Sequence, residues 1–454
     1  MSMVIPERTE HKYEPYPEYE DSGVEWLGKV PAHWYLEPLG INANLIVPMR
    51  DKPPEFNGEV PWIRIEDFNG KFVADSKTGQ RVSEDTIRNM NLKVYPVGTV
   101  LCSCSCSMGA TAIVTSPLIS NQTFIGIVPS KRLLSDYVYY LMQVAKDHLD
   151  SISTGSIQQY LSRNDFSRLR IPLFSIQEQK GITDFLDRET AGIDELIARK
   201  QRLIELLQEQ RAALIPHTVT KGLNPDAPMK DSGVEWLGEI PAHWEILSLR
   251  RKLQDGQKGI KIGPFGSSLK LDIMQDSGWK VYGQENIIAG DFSLGDRYVD
   301  DDKYKELETC STGPGDILIT MMGTMGCCQV VPSAAEIGLM DSHLLRIRVK
   351  QTELLPKFIV LLIDKAQYIK DQLNQFSKGS IMQGLNSSII KELLIAVPPR
   401  LEQEKILYFL DGEIARIDSL ISRINQAIEK LQEYQSALIT AVVTGKIDVR
   451  QYVS

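Results

Sequence analysis

The stretch DSGVEWLGKVPAHW at residues 21–34 returns almost unchanged as DSGVEWLGEIPAHW at residues 231–244, with twelve of fourteen positions identical at an offset of 210. A second stretch, residues 178–220, returns at residues 402–444 with 23 identities in 43 positions, at an offset of 224. The second copy therefore carries 14 extra residues between these two landmarks. The chain is an internal duplication, and both copies are expected to build the same structural module.

The segments between the repeated landmarks match poorly. GSIQQYL at 155–161 aligns with GSIMQGL at 379–385, and VGTVLCSCSCSMG at 97–109 resembles PGDILITMMGTMG at 314–326. Copies that share their ends and differ in their middles are typical of domains that keep one fold but recognise different targets. The alternative is that both copies are purely structural domains whose sequences have drifted apart.

Composition and charge are those of an ordinary globular chain. The 454 residues are 43% hydrophobic and 24% charged, which suits two to four domains. No apolar run reaches the roughly 18 residues that cross a bilayer, and the N-terminus lacks a signal-peptide core, so we expect a cytoplasmic protein without a membrane partner. Most of the net charge of −9 lies in residues 1–30 and 223–244, and the near-neutral remainder permits DNA binding through local patches without arguing for it.

A heptad pattern runs through both copies of the second landmark. Apolar residues recur there at steps of three and four, which predicts two long helices, each about 55 Å long, that pair antiparallel in a coiled coil. The predicted seam comprises Leu186, Ile193, Ile197, Ile204, Leu207 and Leu214 in the first copy and Leu410, Ile414, Ile417, Ile421, Ile424, Ile428, Leu431 and Leu438 in the second. The alternative is that each helix packs only on its own domain.

A second apolar stripe lies beside this seam. It comprises Leu196, Leu203 and Leu206 in the first helix and Leu420 in the second. Because such a stripe is costly to leave in water, it predicts that helices of another chain dock there.

The divergent segments read as mixed α and β structure, with short apolar strands broken by Gly, Pro, Asn and Asp. They contain no phosphate-cradling GxxxxGK[ST] loop, no GxGxxG after a strand and no His-rich cluster. The run CSCSCS puts Cys102, Cys104 and Cys106 on one strand face about 6.8 Å apart, a poor spacing for one zinc ion, so we expect core packing and no metal. The sequence therefore predicts neither a catalytic site nor a bound cofactor.

Three groups of polar residues are candidate DNA contacts. Arg346 and Arg348 alternate along a strand and so share a face, although a solvated face is the alternative. The Gly- and Ser-rich loop GPFGSSLK offers backbone amides and hydroxyls to phosphates, or is a plain surface turn. The GSIxQ loops offer Gln side chains that suit adenine, or cap a helix. The candidates are Ser267 and Ser268 in GPFGSSLK, Lys258 and Lys261 just before it, and Ser156, Gln158, Gln159, Ser380 and Gln383 in the GSIxQ loops.

The repeated SGVEWLGxxPxHW, the GSIxQxL loop running into xxEQ, and the FLDxExxxID helix closing on VxT resemble the specificity subunits of type I restriction-modification systems. The resemblance covers nearly the whole chain, in both halves. It implies an α+β fold in which two tandem-repeated, mixed α/β target-recognition domains are separated by a long antiparallel two-helix coiled coil with pseudo-two-fold symmetry. Gly181, Lys200 and Pro216 weaken the first helix relative to the second and leave its end uncertain.

The same resemblance implies a non-catalytic DNA reader within a larger enzyme. Its partners would be double-stranded DNA, two methyltransferase subunits and motor-nuclease subunits, with S-adenosylmethionine, ATP and Mg on those partner subunits. The expected boundaries are an N-terminal arm at 1–20, target-recognition domain 1 at 21–175, spacer helix 1 at 176–222, a linker at 223–230, target-recognition domain 2 at 231–399, spacer helix 2 at 400–446 and a tail at 447–454.

Two readers on a rigid spacer predict a bipartite, asymmetric target whose half-sites lie about one DNA turn, roughly 34 Å, apart. Two rival functions remain open. One is a fused restriction or methylation enzyme with an unrecognised active site, which binding of S-adenosylmethionine by the isolated chain would reveal. The other is a coiled-coil scaffold that binds no DNA.

Overall fold

The structure is a computed structural model that describes residues 13–48, 51–104, 109–153, 161–322, 326–377 and 386–452. The chain forms two compact units. Unit 1 comprises Met1–Gln201 and Asn425–Ser454, and unit 2 comprises Arg202–Ile424. Each unit thus contains one divergent segment and one part of each long helix.

Unit 1 is built on a five-stranded sheet and a three-stranded sheet. Its strands are β1 Tyr19–Asp21, β2 Lys29–Pro31, β3 Tyr35–Pro38, β4 Ala43–Ile46, β5 Val60–Ile63, β6 Phe72–Val73, β7 Arg81–Val82, β8 Val100–Ser103, β9 Thr111–Val114, β10 Ile119–Ser120, β11 Phe124–Pro129 and β12 Arg170–Leu173. Its short helices are α1 Leu39–Asn42, α2 Glu84–Asn89, α3 Ser135–Val144, α4 Lys146–Ile152 and α5 Arg163–Arg168. The sheet orders are β4-β11-β8-β9-β6 and β10-β5-β7, and β1 pairs with β2 and β3 with β12.

Unit 2 repeats this plan with two four-stranded sheets. Its strands are β13 Met229–Asp231, β14 Glu239–Pro241, β15 Glu245–Ser248, β16 Ile260–Ile262, β17 Trp279–Tyr282, β18 Tyr298–Val299, β19 Ser311–Thr312, β20 Ile317–Thr320, β21 Cys328–Val330, β22 Gly338–Met340, β23 Leu344–Ile347 and β24 Leu394–Val397. The sheet orders are β16-β23-β20-β21 and β18-β17-β22-β19, and β13 pairs with β14 and β15 with β24. Its short helices are α7 Gln284–Ala289, α8 Asp301–Glu306, α9 Pro356–Lys365, α10 Gln367–Ser377 and α11 Ser387–Glu392.

Continuous apolar runs explain the central strands. The side chains of β8 (VLCS) and of β20 (ILIT) are all buried, because helices or loops cover both faces of these strands. Both strands fall inside the segments 97–109 and 314–326 that the sequence paired. Residues 135–149 and 355–373 lie at equivalent places in the two units, and each segment forms two successive helices, with a break at Ala145 and at Ala366.

A buried glutamine joins each recognition domain to the start of its long helix. The side chain of Gln179 accepts from the Leu134 amide at 3.0 Å and donates to the Arg132 and Phe174 carbonyls at 2.9 and 3.0 Å. Gln403 makes the matching three bonds in unit 2. The EQ pair of the repeated landmark therefore satisfies buried backbone groups where the strand meets the helix.

The long helices are α6 Ile176–Lys221 and α12 Arg400–Val443. Pro216 lies inside α6 without ending it. The helix α12 stops at Val443, three residues before the expected end, and Gly445 adopts the left-handed φ of +72° that suits a helix terminus.

The two long helices pair antiparallel within each unit. In unit 1, Gln435 donates to Asp194 at 2.9 Å, and Leu186 shares a core with the later residues from Leu438 to Val443. In unit 2, Arg211 pairs with Asp418 at 3.0 Å, and Leu214 and Ile215 share a core with the earlier residues Leu410 and Ile414. All fourteen residues of the predicted seam are buried or half-buried.

Candidate nucleic-acid interface and partner surface

The GPFGSSLK loop (residues 263–270) leaves β16 on the surface of unit 2. The Gly263 amide donates to the Leu344 carbonyl at 2.9 Å, and a Cβ on Gly263 would lie 1.8 Å from the Asp341 carbonyl oxygen, so only glycine allows this close approach. The ring of Phe265 is 87% exposed at the tip of the loop. Among the predicted phosphate contacts, Lys258 and Ser267 are exposed and Lys261 and Ser268 are half-buried.

The two arginines at the end of β23 are engaged within unit 2. Arg346 is 3% exposed and donates to the Ser311 carbonyl, and burial lowers its pKa. Arg348 forms an ion pair with Asp316, with Nε 2.7 Å from Oδ1. The alternation does place both side chains on one face, but other chain segments cover that face. Contrary to the expectation from sequence, we do not place Arg346 on a DNA-facing surface.

The GSIxQ loops lie outside the described residues. These loops hold the predicted contacts Ser156, Gln158, Gln159, Ser380 and Gln383.

An open cleft of about 450 Å³ lies in unit 2, where Asp341 approaches the GPFGSSLK loop. Its lining residues are Gln284, Glu285, Met322, Asp341 and His343. Burial raises the pKa of Asp341, and the His343 amide and Arg297 partly offset this effect. No sequence pattern predicts this cleft, because its walls come from three separate segments, at residues 284–285, 322 and 341–343, that no local period links.

Two cysteines of the CSCSCS run belong to the core of unit 1. Cys102 and Cys104 are buried, and burial raises the pKa of the Cys102 thiol to about 12. Cys106 is outside the described residues. Across the described parts of the chain, no group of three or more His, Cys, Asp or Glu side chains is arranged to hold a metal ion.

The predicted second stripe of the long helices is largely exposed. Leu196, Leu203 and Leu206 are 43%, 47% and 46% exposed, and Leu420 is half-buried. Exposed leucines at helical spacing beside a paired seam are the pattern left by helices that lack a partner. None of the helices within the described ranges is both long enough and apolar enough to cross a membrane.

Comparison with known families supplies a match over most of the chain. The profile of the family described as Type I restriction modification DNA specificity domain matches residues 48–206 and 299–430. The chain is 22% identical to the EcoKI specificity subunit of Escherichia coli K12 over 440 residues, which cover 92% of this chain and 90% of that one. It is 29% identical to the MjaIX specificity subunit of Methanocaldococcus jannaschii over 232 residues, about half the length of each chain.

Solved structures give the same fold. The HsdS subunit from Thermoanaerobacter tengcongensis superposes with a TM-score of 0.54 at 16% identity, over 92% of this chain and 98% of that one. A chain from a structure titled for complex assembly and conformational transition of the type I R-M system superposes with a TM-score of 0.64 at 15% identity, over 91% and 98%. The expected fold class of two repeated α/β domains and two long helices is confirmed.

Proposed function

Because this chain belongs to the family of type I restriction-modification DNA specificity domains, we propose that it is the non-catalytic subunit that reads a bipartite DNA target for such an enzyme. One observation supports this most strongly. The two units share the order of their central strands and a glutamine anchor to a long helix, yet their divergent segments differ in sequence. Two such readers suit an asymmetric target with two different half-sites.

The partner subunits carry the chemistry in this proposal. Two methyltransferase subunits hold S-adenosylmethionine, motor-nuclease subunits hold ATP and Mg, and the complex works on double-stranded DNA in the cytoplasm. The purified chain alone is then expected neither to methylate nor to cleave DNA. Methylation or cleavage by this chain alone would support a fused enzyme instead.

The long helices set the gap between the half-sites. Inserting four residues after Ile204 adds about one helical turn. We expect the methylated target to keep both half-site sequences and to gain base pairs between them, as read by methylome sequencing of cells that express the complex. An unchanged gap would mean that the helices are only domain connectors.

The exposed leucines receive the methyltransferase subunits. Leu196→Glu combined with Leu420→Glu places charges on the apolar stripe and is expected to abolish co-purification of the methyltransferase subunit. A matched control is Gln201→Glu with Asn425→Glu, which adds the same charge at exposed positions turned about 140° around each helix. If the leucine variant still assembles as the control does, the partner surface lies elsewhere.

A further inference from the structure

In both recognition domains two neighbouring parallel strands end at the same edge of a sheet, and in unit 2 the open cleft described above lies at this edge. We call this edge the crevice of each domain. The strands are β5 and β10 in unit 1 and β17 and β22 in unit 2. After them, the Asn121 amide donates to the Ile63 carbonyl at 3.2 Å, and the Asp341 amide donates to the Tyr282 carbonyl at 2.9 Å. In open α/β sheets, the carboxyl ends of parallel strands are where ligands bind, because the loops separate there.

Backbone register assigns the residues of one crevice to those of the other. The amide of Trp62, the third residue of β5, donates to the Gln80 carbonyl at 2.9 Å. The amide of Val281, the third residue of β17, donates to the Arg297 carbonyl at 2.8 Å. Arg297 therefore stands where unit 1 has Gln80. By the same register, Gly283 directly after β17 stands where unit 1 has Arg64 directly after β5.

Both crevices hold a guanidinium paired with a carboxylate, although the arginines come from different positions. Arg64 Nη2 lies 2.9 Å from Glu66 Oε1, and Arg297 Nη2 lies 2.5 Å from Glu285 Oε1. The glutamates occupy equivalent positions, whereas the arginines do not. A Cβ on Gly283 would lie 2.1 Å from Arg297 Nη2, so only a glycine at this position leaves room for the Arg297 guanidinium. Two different ways of building the same pair indicate that the pair itself has a function.

The crevice of unit 1 contains polar atoms that the chain itself does not satisfy. Gln80 Oε1 and Arg64 Nε are buried, and neither has a hydrogen-bond partner among the described residues. Buried polar atoms without partners cost stability, and native folds contain few of them. The two atoms therefore mark polar capacity in this crevice that the described part of the chain leaves unused.

Three further positions of the crevice differ in chemistry between the domains. In unit 1 the Thr123 amide donates to Asn121 Oδ1 at 3.3 Å, and in unit 2 the His343 amide donates to Asp341 Oδ1 at 3.0 Å, so the turn is built alike. The side chains at these positions nevertheless differ in chemistry. Gln284, Asp341 and His343 in unit 2 stand where unit 1 has Ile65, Asn121 and Thr123.

We propose that this crevice contacts the base edges of the half-site in each domain, an inference that rests on the function proposed above. The shared pair offers a guanidinium to guanine and a carboxylate to the cytosine amino group. The three differing positions then set which half-site each domain reads, with the Gln284 amide suited to adenine and the Asp341 carboxylate to cytosine.

The charge of the crevice fits base edges better than phosphates. In unit 2, Arg297 compensates Glu285 and also lies 3.5 Å from Asp341, so the site is polar rather than basic. Phosphate contacts need net positive charge, whereas base edges need donors and acceptors in fixed places. The GPFGSSLK loop lies beside the crevice of unit 2, where Gly263 approaches Asp341, and its backbone amides and serines suit the backbone of the same DNA.

A graft between the domains tests the inference in the complete complex. Gln284→Ile, Asp341→Asn and His343→Thr together give unit 2 the side chains of unit 1 at the three differing positions. Methylome sequencing is expected to show altered bases in one half-site and the parental sequence in the other. The control Lys303→Ala with Glu306→Ala removes a surface ion pair of the same domain and is expected to leave both half-sites unchanged.

Isosteric variants keep the test informative if the graft misfolds. Glu66→Gln and Glu285→Gln are each expected to reduce discrimination at a base pair of one half-site about 5- to 100-fold, and each in a different half-site. Methylation rates on single-substituted DNA duplexes measure this, and size-exclusion chromatography verifies assembly. If the parent complex methylates a bipartite site and both variants keep parental discrimination at every base pair, this inference is wrong while the proposed function stands. If the parent complex recognises no bipartite site, the proposed function fails.

Discussion

The two long helices begin in the same motif but in different surroundings. In unit 1, Phe185 is 1% exposed, and the ring of Tyr13 packs edge-to-face on it at 5.4 Å. The equivalent Phe409 in unit 2 is 37% exposed and lines an open cavity of about 550 Å³ together with Leu223 and Met229. Equal sequence at the motif therefore does not give equal packing.

The chain ends account for this difference. In unit 1 the N-terminal arm, described from Tyr13, and the C-terminal tail, described to Tyr452, lie together, and the Asp448 amide donates to the Glu14 carbonyl at 2.8 Å. The Arg450 guanidinium stacks 4.8 Å from the Tyr16 ring. In unit 2 the single connection after Lys221 must take the place of both arm and tail. One connecting segment covers less apolar surface than two segments do, which leaves the Phe409 side chain partly exposed to solvent.

The largest expected effect separates the two phenylalanines. Phe185→Ala should lower the free energy of unfolding by about 3–5 kcal/mol, because it empties a filled core site, whereas Phe409→Ala should cost about 1–2 kcal/mol. Urea unfolding of the full chain measures the cost, and hydrogen exchange of peptides from each unit assigns it. Phe185→Leu serves as the volume-sparing control. Equal costs for the two alanine variants would contradict the difference in packing.

Sequence patterns predicted the helices and strands that depend only on residues close together in the chain. The heptad positions mark the buried side of α6 and α12, and the apolar runs at residues 97–109 and 314–326 contain β8 and β20. Alternation also placed Arg346 on one strand face, but it could not show that Ser311 covers that face. The strand pairings that form the crevices lie beyond sequence reasoning as well, because no period in the chain encodes which distant strands become neighbours.

A smaller effect separates the two tryptophans of the repeated PAHW. Trp34 Nε1 donates to Glu178 Oε1 at 3.1 Å, whereas Trp244 Nε1 is buried and has no hydrogen-bond partner in the described ranges. Trp34→Phe and Trp244→Phe remove the same volume, so their difference isolates the N–H group. We expect Trp34→Phe to be the more destabilising by about 1–3 kcal/mol, since it loses a bond to a carboxylate. Equal urea midpoints for both variants would argue against this assignment.

An ion-pair cluster ties the recognition domain to the helix in unit 1. Lys71 Nζ lies 2.6 Å from both Asp136 and Asp187, while Asp411, which matches Asp187 in the repeat, is exposed. Lys71→Met should cost about 1 kcal/mol at low salt and less at high salt, because the carboxylates are partly in water. The exposed Lys93→Met is the control, and a cost independent of salt would show that packing, not charge, holds this contact.

The smallest effect is a pH dependence confined to unit 1. The His148 ring stacks on Trp26 at 5.9 Å, and burial lowers the pKa of His148, whereas unit 2 has Gln372 at the matching position. The unfolded chain, with an ordinary histidine pKa of about 6.5, then binds a proton more readily than the folded one. Stability is therefore full above about pH 6.5 and declines as the pH falls through that value, until the folded histidine also becomes protonated.

His148→Gln installs the side chain of unit 2 and removes the titrating group. The urea midpoints at pH 7.5 and pH 5.5 should differ less for this variant than for the parent, and hydrogen exchange should place the change in the peptides around α4. His217→Gln controls for the loss of an exposed histidine. A parent and a His148→Gln variant with the same pH dependence would mean that the Trp26 stack tolerates the charged ring, since stacking on an aromatic face then offsets the cost of burying the charge.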